Sequence, residues 1–125
     1  MAAADPDPRP PVWVGHVRAP APDVPAAIRF WRTVGMRVIS EQPDFAVLEL
    51  RGGTHVVVMP EGPGQLSDVP FDVMVDDVEA TWQRFREAGL EPSPITSGSV
   101  HSSFSVSDPA GRRVTVNSSH VVGPV

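Results

Sequence analysis

Apolar residues recur at two different spacings along this chain, and the alternation between those spacings divides it into elements. Val12 to Arg18 is rich in β-formers and gives way to the Pro-rich stretch Ala19 to Pro22, which predicts a strand. Asp23 then reads as an N-cap. It is followed by Val24, Ile28 and Trp31 at helical spacing, by Pro25 in the first turn, where a missing N–H is harmless, and by Gly35 as the stop. Arg37 to Glu41, Phe45 to Arg51 and Thr54 to Met59 predict three strands. The last two are joined through Gly52-Gly53, a dipeptide suited to the positive φ angles of a tight hairpin.

Pro60 to Val69, with Pro or Gly at 60, 62, 63 and 64, reads as an internal linker, and after it the pattern starts again. Phe71 to Val75 predicts a strand. Asp77 caps a helix with Val78, Thr81, Trp82, Phe85 and Ala88 on one face, and Gly89 stops it. Glu91 to Ile95, His101 to Ser107 and Arg113 to Ser118 predict the remaining strands, with Asp108-Pro109-Ala110-Gly111 as the turn between the last two.

The two halves match residue by residue. Asp23-Val24-Pro25-Ala26 through Gly35-Met36 aligns without a gap on Asp77-Val78-Glu79-Ala80 through Gly89-Leu90, an offset of 54 residues. Phe45-x-Val47 reappears as Phe104-x-Val106, so a tandem duplication accounts for the pattern. Each half is too small to bury both its helix and its sheet, and two halves must share a core, within one chain or across a dimer. A curved sheet built from two such halves encloses a cleft of the kind that holds small molecules.

His16 followed seven residues later by Asp23, then Arg29-Phe30-Trp31 and Gly35, resembles the opening of a vicinal-oxygen-chelate module. Phe71-Asp72-Val73-Met74-Val75-Asp76-Asp77-Val78 and Asp108-Pro109-Ala110-Gly111-Arg112-Arg113-Val114-Thr115-Val116 are similar to that family's second strand-to-helix junction and final hairpin. The family comprises glyoxalases, bleomycin-resistance proteins and extradiol dioxygenases, and the resemblance covers residues 12 to 118. It implies an α+β fold: two tandem βαβββ modules, about 12–60 and 70–118, curving into a partly open, barrel-like sheet with the helices outside. The expected organisation is a Pro-rich tail over 1–11 and a single domain over 12–125. Family members this short pair into homodimers, so a homodimer is expected here.

Metal-dependent members of the family carry four ligand positions. Here these fall on His16, Val57, Pro70 and Thr115, and only His16 is a ready donor. The resemblance therefore implies no metal or other cofactor. The expected function is that of a metal-independent protein sequestering an antibiotic or secondary metabolite in an apolar cleft, with Trp31, Met59, Met74, Phe104 and Thr115 as candidate ligand contacts. The alternative is a lyase, isomerase or dioxygenase in which His16 and His101 act as general acid and base, or in which relocated ligands, His16, Glu49 and His101, hold one divalent ion; His55 and His120 are further donors to such a site.

Bland readings stand beside these. His16 lies between apolar neighbours and reads equally as a strand histidine bonded to backbone. Glu49 alternates with Leu48 and Leu50 and faces solvent opposite that pair; His55, before Val56-Val57-Val58, is read the same way. Trp31 and Trp82 sit on apolar helix faces, where core packing competes with ligand stacking.

Composition narrows the partners. The formal net charge is -5 with no Lys/Arg run, which offers nothing to neutralise a nucleic-acid backbone or an anionic membrane. There is no cysteine, so disulfides, thiolate metal sites and Cys nucleophiles are excluded. Nothing approaches the roughly 18 consecutive apolar residues that span a bilayer, and the N-terminal Pro-rich tail lacks the apolar run of a signal peptide, so the expected address is the cytoplasm.

Overall fold

The computed structural model describes residues 6–10, 14–61, 68–121 and 123–125. Most of the predicted tail, the start of the first predicted strand at Val12 and Trp13, and the middle of the predicted linker lie outside the described residues.

The elements run β1 (His16–Ala21), α1 (Val24–Val34), β2 (Arg37–Gln42), β3 (Phe45–Glu49), β4 (His55–Pro60), β5 (Val73–Val75), α2 (Val78–Glu87), β6 (Thr96–Ser97), β7 (Ser102–Ser107) and β8 (Arg113–Ser118). The duplicated caps work identically. The Asp23 carboxylate accepts from Ala26 N–H at 3.0 Å and the Asp77 carboxylate from Ala80 N–H at 2.9 Å, each satisfying a donor that a helix N-terminus otherwise leaves unpaired. Gly52 and Gly53 take φ angles of 87° and 91°, as the hairpin between β3 and β4 requires.

Several strands differ from expectation: Phe71–Val75 shortens to Val73–Val75, Phe45–Arg51 ends at Glu49, and two others change more. The first runs on through Pro20 to Ala21, which is tolerated because β1 is an edge strand. The predicted strand at Glu91–Ile95 is replaced by the two-residue β6: Pro92 and Pro94 lack an N–H for a ladder, and Glu91 sits at φ 52°.

The strands form two four-stranded mixed sheets, ordered β1-β4-β3-β2 (sheet A) and β5-β8-β7-β6 (sheet B). They do not close into a barrel, and with the two helices they make up the α+β arrangement of two βαβββ halves that was expected. Two of the edge strands are poorly suited to further pairing: β1 carries Pro20, and β5 has only three residues, too few for a long ladder. Within each sheet the first strand pairs in parallel with the fourth and the rest are antiparallel, so both halves keep the βαβββ topology.

One core spans both halves. In α1, Val24, Ala27, Ile28, Phe30, Trp31 and Val34 are buried over Ala46, Leu48, Val56 and Val58 of sheet A. In the second half Phe85 of α2 meets Phe104 edge-on at 5.8 Å, above Val106, Val114 and Val116. Among the described residues, polar contacts join the halves. Arg84 donates to the α1 carbonyls Thr33 O (3.2 Å) and Val34 O (2.8 Å), Arg51 pairs with Asp76 at 2.8 Å, and the buried Arg112 donates to Pro20 O at 2.6 Å while pairing with Glu61. Trp31 and Phe71 add a ring contact at 5.4 Å.

Candidate functional site

Strand alternation gives each sheet a covered face and an open one. In sheet A the buried set Ala19, Ala21, Ala46, Leu48, Val56 and Val58 lies under α1, so the alternate residues Arg18, Phe45, Val47, Val57 and Met59 belong to the opposite face. In sheet B the buried set Phe104, Val106, Val114 and Val116 leaves Ser103, Ser105, Thr115 and Asn117 on the open face, with Met74 beside Asn117 in register. The two open faces thus differ in chemistry. Sheet A presents an apolar floor and sheet B a row of hydroxyls and an amide, with Ser103 donating to Asn117 at 2.6 Å and Asn117 donating to Asp72 at 2.8 Å.

One end of the sheet A face is charged. The register pairs Arg37 with Glu49, Glu49 with His55, and His55 with His16, so four polar side chains form one row across β2, β3, β4 and β1. Arg37 forms an ion pair with Glu49, whose other oxygen lies 3.0 Å from His55 Nε2. The His55 and His16 rings meet edge-on with centroids 5.6 Å apart. The Arg37 guanidinium, and after it His55, hold the Glu49 carboxyl below the ordinary glutamate value, so it is ionised at neutral pH. Glu49 and His55 were expected to face solvent. They do lie opposite Leu48, but the Glu49 side chain is only 19% exposed and that of His55 31%, because each is covered by its neighbour in the row.

The other candidate residues are dispersed. His101 lies just before β7 with its Nδ1 2.9 Å from Ser118 O, and its ring neighbour is His120 at 4.7 Å. His16 and His101 are therefore on different sheets, each beside another histidine, and are not brought together as an acid–base pair. Met59 is on the open face of sheet A. Phe104 and Thr115 border a shallow cavity of about 340 Å³ on sheet B with Ser93, Thr96, Ser103 and Ser105. Met74, 44% exposed, borders a groove of about 370 Å³ between the halves with Val34, Met36 and Phe85. Trp31 is 2% exposed and packs between Phe30 and Phe71, so it is a core residue that reaches no open face. Trp82 is half-buried and donates from Nε1 to Ser93 O at 2.7 Å, fastening α2 to the loop before β6.

The model of the Glyoxalase/Bleomycin resistance protein/Dioxygenase superfamily matches residues 13–116. The chain belongs to that superfamily. Among solved structures it resembles TnmS3, an antibiotic binding protein from Streptomyces sp. CB03234, with a TM-score of 0.76 at 23% identity, covering 87% of this chain and 97% of that one. It also resembles a lactoylglutathione lyase from Agrobacterium tumefaciens, with a TM-score of 0.72 at 19% identity, covering 88% of this chain and 96% of that one. A third likeness is to oxidase ChaP-H2, with a TM-score of 0.68 at 21% identity, covering 88% and 95%. No curated protein sequence matches. At these identities the likenesses concern the fold, which this superfamily uses for unrelated chemistries.

The superfamily's metal can be tested against the residues present. Of the four positions that the resemblance implies, Val57 and Pro70 have no donor side chain, Thr115 offers a weak hydroxyl, and only His16 supplies an imidazole. The relocated set fares no better: His16 and Glu49 flank His55 on sheet A, while His101 belongs to the other half. Among the described residues no three His, Cys, Asp or Glu side chains are grouped so as to hold a metal ion. The donor set does not fit the group.

Proposed function

We propose that this chain is a small-molecule-binding member of its superfamily. It holds an apolar antibiotic or secondary metabolite against its open sheet faces, without a metal, as a cytoplasmic homodimer. The observation that carries this reading is the floor of sheet A. Phe45, Val47, Val57 and Met59 form an apolar surface on the side of the sheet that α1 does not cover. Sheets normally turn polar residues outward when one face meets only water. An apolar outward face is a surface that works covered.

The likeness to an antibiotic-binding protein supports the same reading. Two features favour the dimer. A single chain leaves Phe45 39% and Met74 44% exposed, and its two open faces belong to separate sheets that no ladder joins among the described residues. A second copy laid against them would convert two open surfaces into a cleft whose apolar wall comes from sheet A and whose hydroxyl wall comes from sheet B.

Native mass spectrometry of the purified protein, before and after a chelator, tests the reading. The expected result is a metal-free dimer that retains a co-purified or added apolar ligand unchanged after chelation. One chelator-removable divalent ion per subunit, with loss of ligand on its removal, would overturn it.

A further inference from the structure

Two crevices run between the halves on the helix side of the sheets, and the duplication makes them counterparts. In one, β1 faces the β7–β8 turn; in the other, β5 faces the β3–β4 hairpin. Ala19–Ala21, Ala27 and Trp31 line the first, and the residues 54 places on, Val73–Val75, Thr81 and Phe85, line the second. The first is closed, with about 10 Å³ of free space, whereas the second is open to about 370 Å³. Side chains account for the difference. Trp31 and the buried Arg112 fill the first. The second has the smaller Phe85 in place of Trp31, and Arg51 of its hairpin turns outward into an exposed pair with Asp76.

Strand alternation shows what the filling satisfies. In the parallel pair of β1 with β4, Glu61 N–H donates to Ala21 O, so Pro20, one residue back, turns its carbonyl to the free edge, where the Arg112 guanidinium donates to it at 2.6 Å. In the pair of β5 with β8, Ser119 N–H donates to Val75 O, so Met74, the counterpart of Pro20, turns both its N–H and its C=O to the free edge. Among the described residues neither group has a partner. Proline lacks an N–H, so the open crevice presents a donor and an acceptor where the filled one presents only an acceptor. The charges around it are already matched: Arg51 by Asp76, Arg84 by the Thr33 and Val34 carbonyls, and Asp77 by the Ala80 N–H.

We propose that the open crevice is a second ligand site, apart from the open sheet faces, for a neutral apolar ring compound with a cis-amide edge, a lactam or an imide. The ring lies among Met36, Leu50, Val73 and Phe85; its N–H donates to Met74 O and its carbonyl accepts from Met74 N–H. A charged group would be buried there without a counter-charge, which is costly, and a pure hydrocarbon would leave both Met74 groups dry and unpaired. The volume is within the range that holds small organic ligands. This site shares no residue with the apolar floor of sheet A and is independent of the ligand proposed there.

Proton–nitrogen NMR titration with 2-quinolone, a planar bicyclic lactam, and with N-methyl-2-quinolone, which lacks the amide N–H, tests the site. In the native protein the amide signals of Leu50, Arg51, Val75 and Phe85 should move, and the N-methyl compound should bind about tenfold more weakly, the worth of one hydrogen bond. M74P removes the edge N–H without touching the ladder to β8, a change that edge strands tolerate, and should weaken 2-quinolone binding about tenfold. F85W, which restores the ring of the filled crevice, should abolish the shifts. The same spectra report folding, and F85W and the N-methyl comparison stand without M74P. Shifts confined to residues such as Val57 and Ser103 would put the probe on the open faces alone and overturn the proposal. Equal affinity for the two probes, binding unchanged in either folded variant, or no shift in the native protein would overturn it as well.

Discussion

Replacing Arg112 by methionine should destabilise the protein more than most core truncations, although no aliphatic side chain is lost. The Arg112 side chain is 6% exposed and that of its partner Glu61 14%, so this ion pair is shielded from water. The guanidinium also donates to Pro20 O at 2.6 Å, which ties the β7–β8 turn of one half to β1 of the other. Methionine fills similar volume but supplies no donor, leaving a largely buried carboxylate and a backbone carbonyl unpaired. Breaking one side of a buried pair costs about 3–5 kcal/mol, most of it the desolvation of the group left behind. For a domain of this size that corresponds to a fall in melting temperature of roughly 10–20 °C.

Urea denaturation of R112M, E61L and the double variant R112M/E61L measures the effect. The double variant should be more stable than R112M, because removing both charges removes the uncompensated one. If R112M unfolds within about 1 kcal/mol of the native protein, or if the double variant is as unstable as the two single changes added, the pair does not brace the two halves and the reasoning fails.

The duplicated caps give a second prediction: D23A and D77A should each cost about 1 kcal/mol by urea unfolding, with nearly additive effects because they open different helices. A double variant no less stable than either single one would show that the caps are not independent. The third concerns acid. Because Glu49 titrates below the ordinary glutamate value of 4.5 when folded, its stabilising contribution is fully present above that pH and is lost as the pH falls through the lower folded value. E49Q should therefore be less stable than the native protein at neutral pH and should lose less between pH 5 and strongly acid solution in a series of thermal melts; parallel acid limbs would contradict the Arg37–Glu49–His55 row.

Much of the fold was legible because its signals are local. Asp23 and Asp77 each stand before helical spacing and each cap the N–H three residues on, and Gly52-Gly53 demands the hairpin that forms between β3 and β4. The duplication gave the order of elements in the second half from that in the first. Where local signals conflicted, the extended stretch around Pro92 and Pro94 was read as a strand, although two missing donors exclude a ladder there.

The candidate site was less legible. The hairpin register alone sets Glu49 opposite His55, and a reader who fixed the loop length could have found that pair. That His16 joins them depends on the parallel pairing of β1 with β4, elements separated by α1, β2 and β3, which no local pattern specifies. Arg112 looked like part of a turn motif. Its burial against Pro20 and Glu61 exists only because the two halves pack as they do. By itself the sequence determined the family, the βαβββ repeat and the caps, since these depend on residue identity and short-range spacing. Tertiary structure alone decided which side of each sheet the helix covers, which histidine meets which carboxylate, and that Trp31 is core, because those outcomes depend on register and packing between segments far apart in the chain.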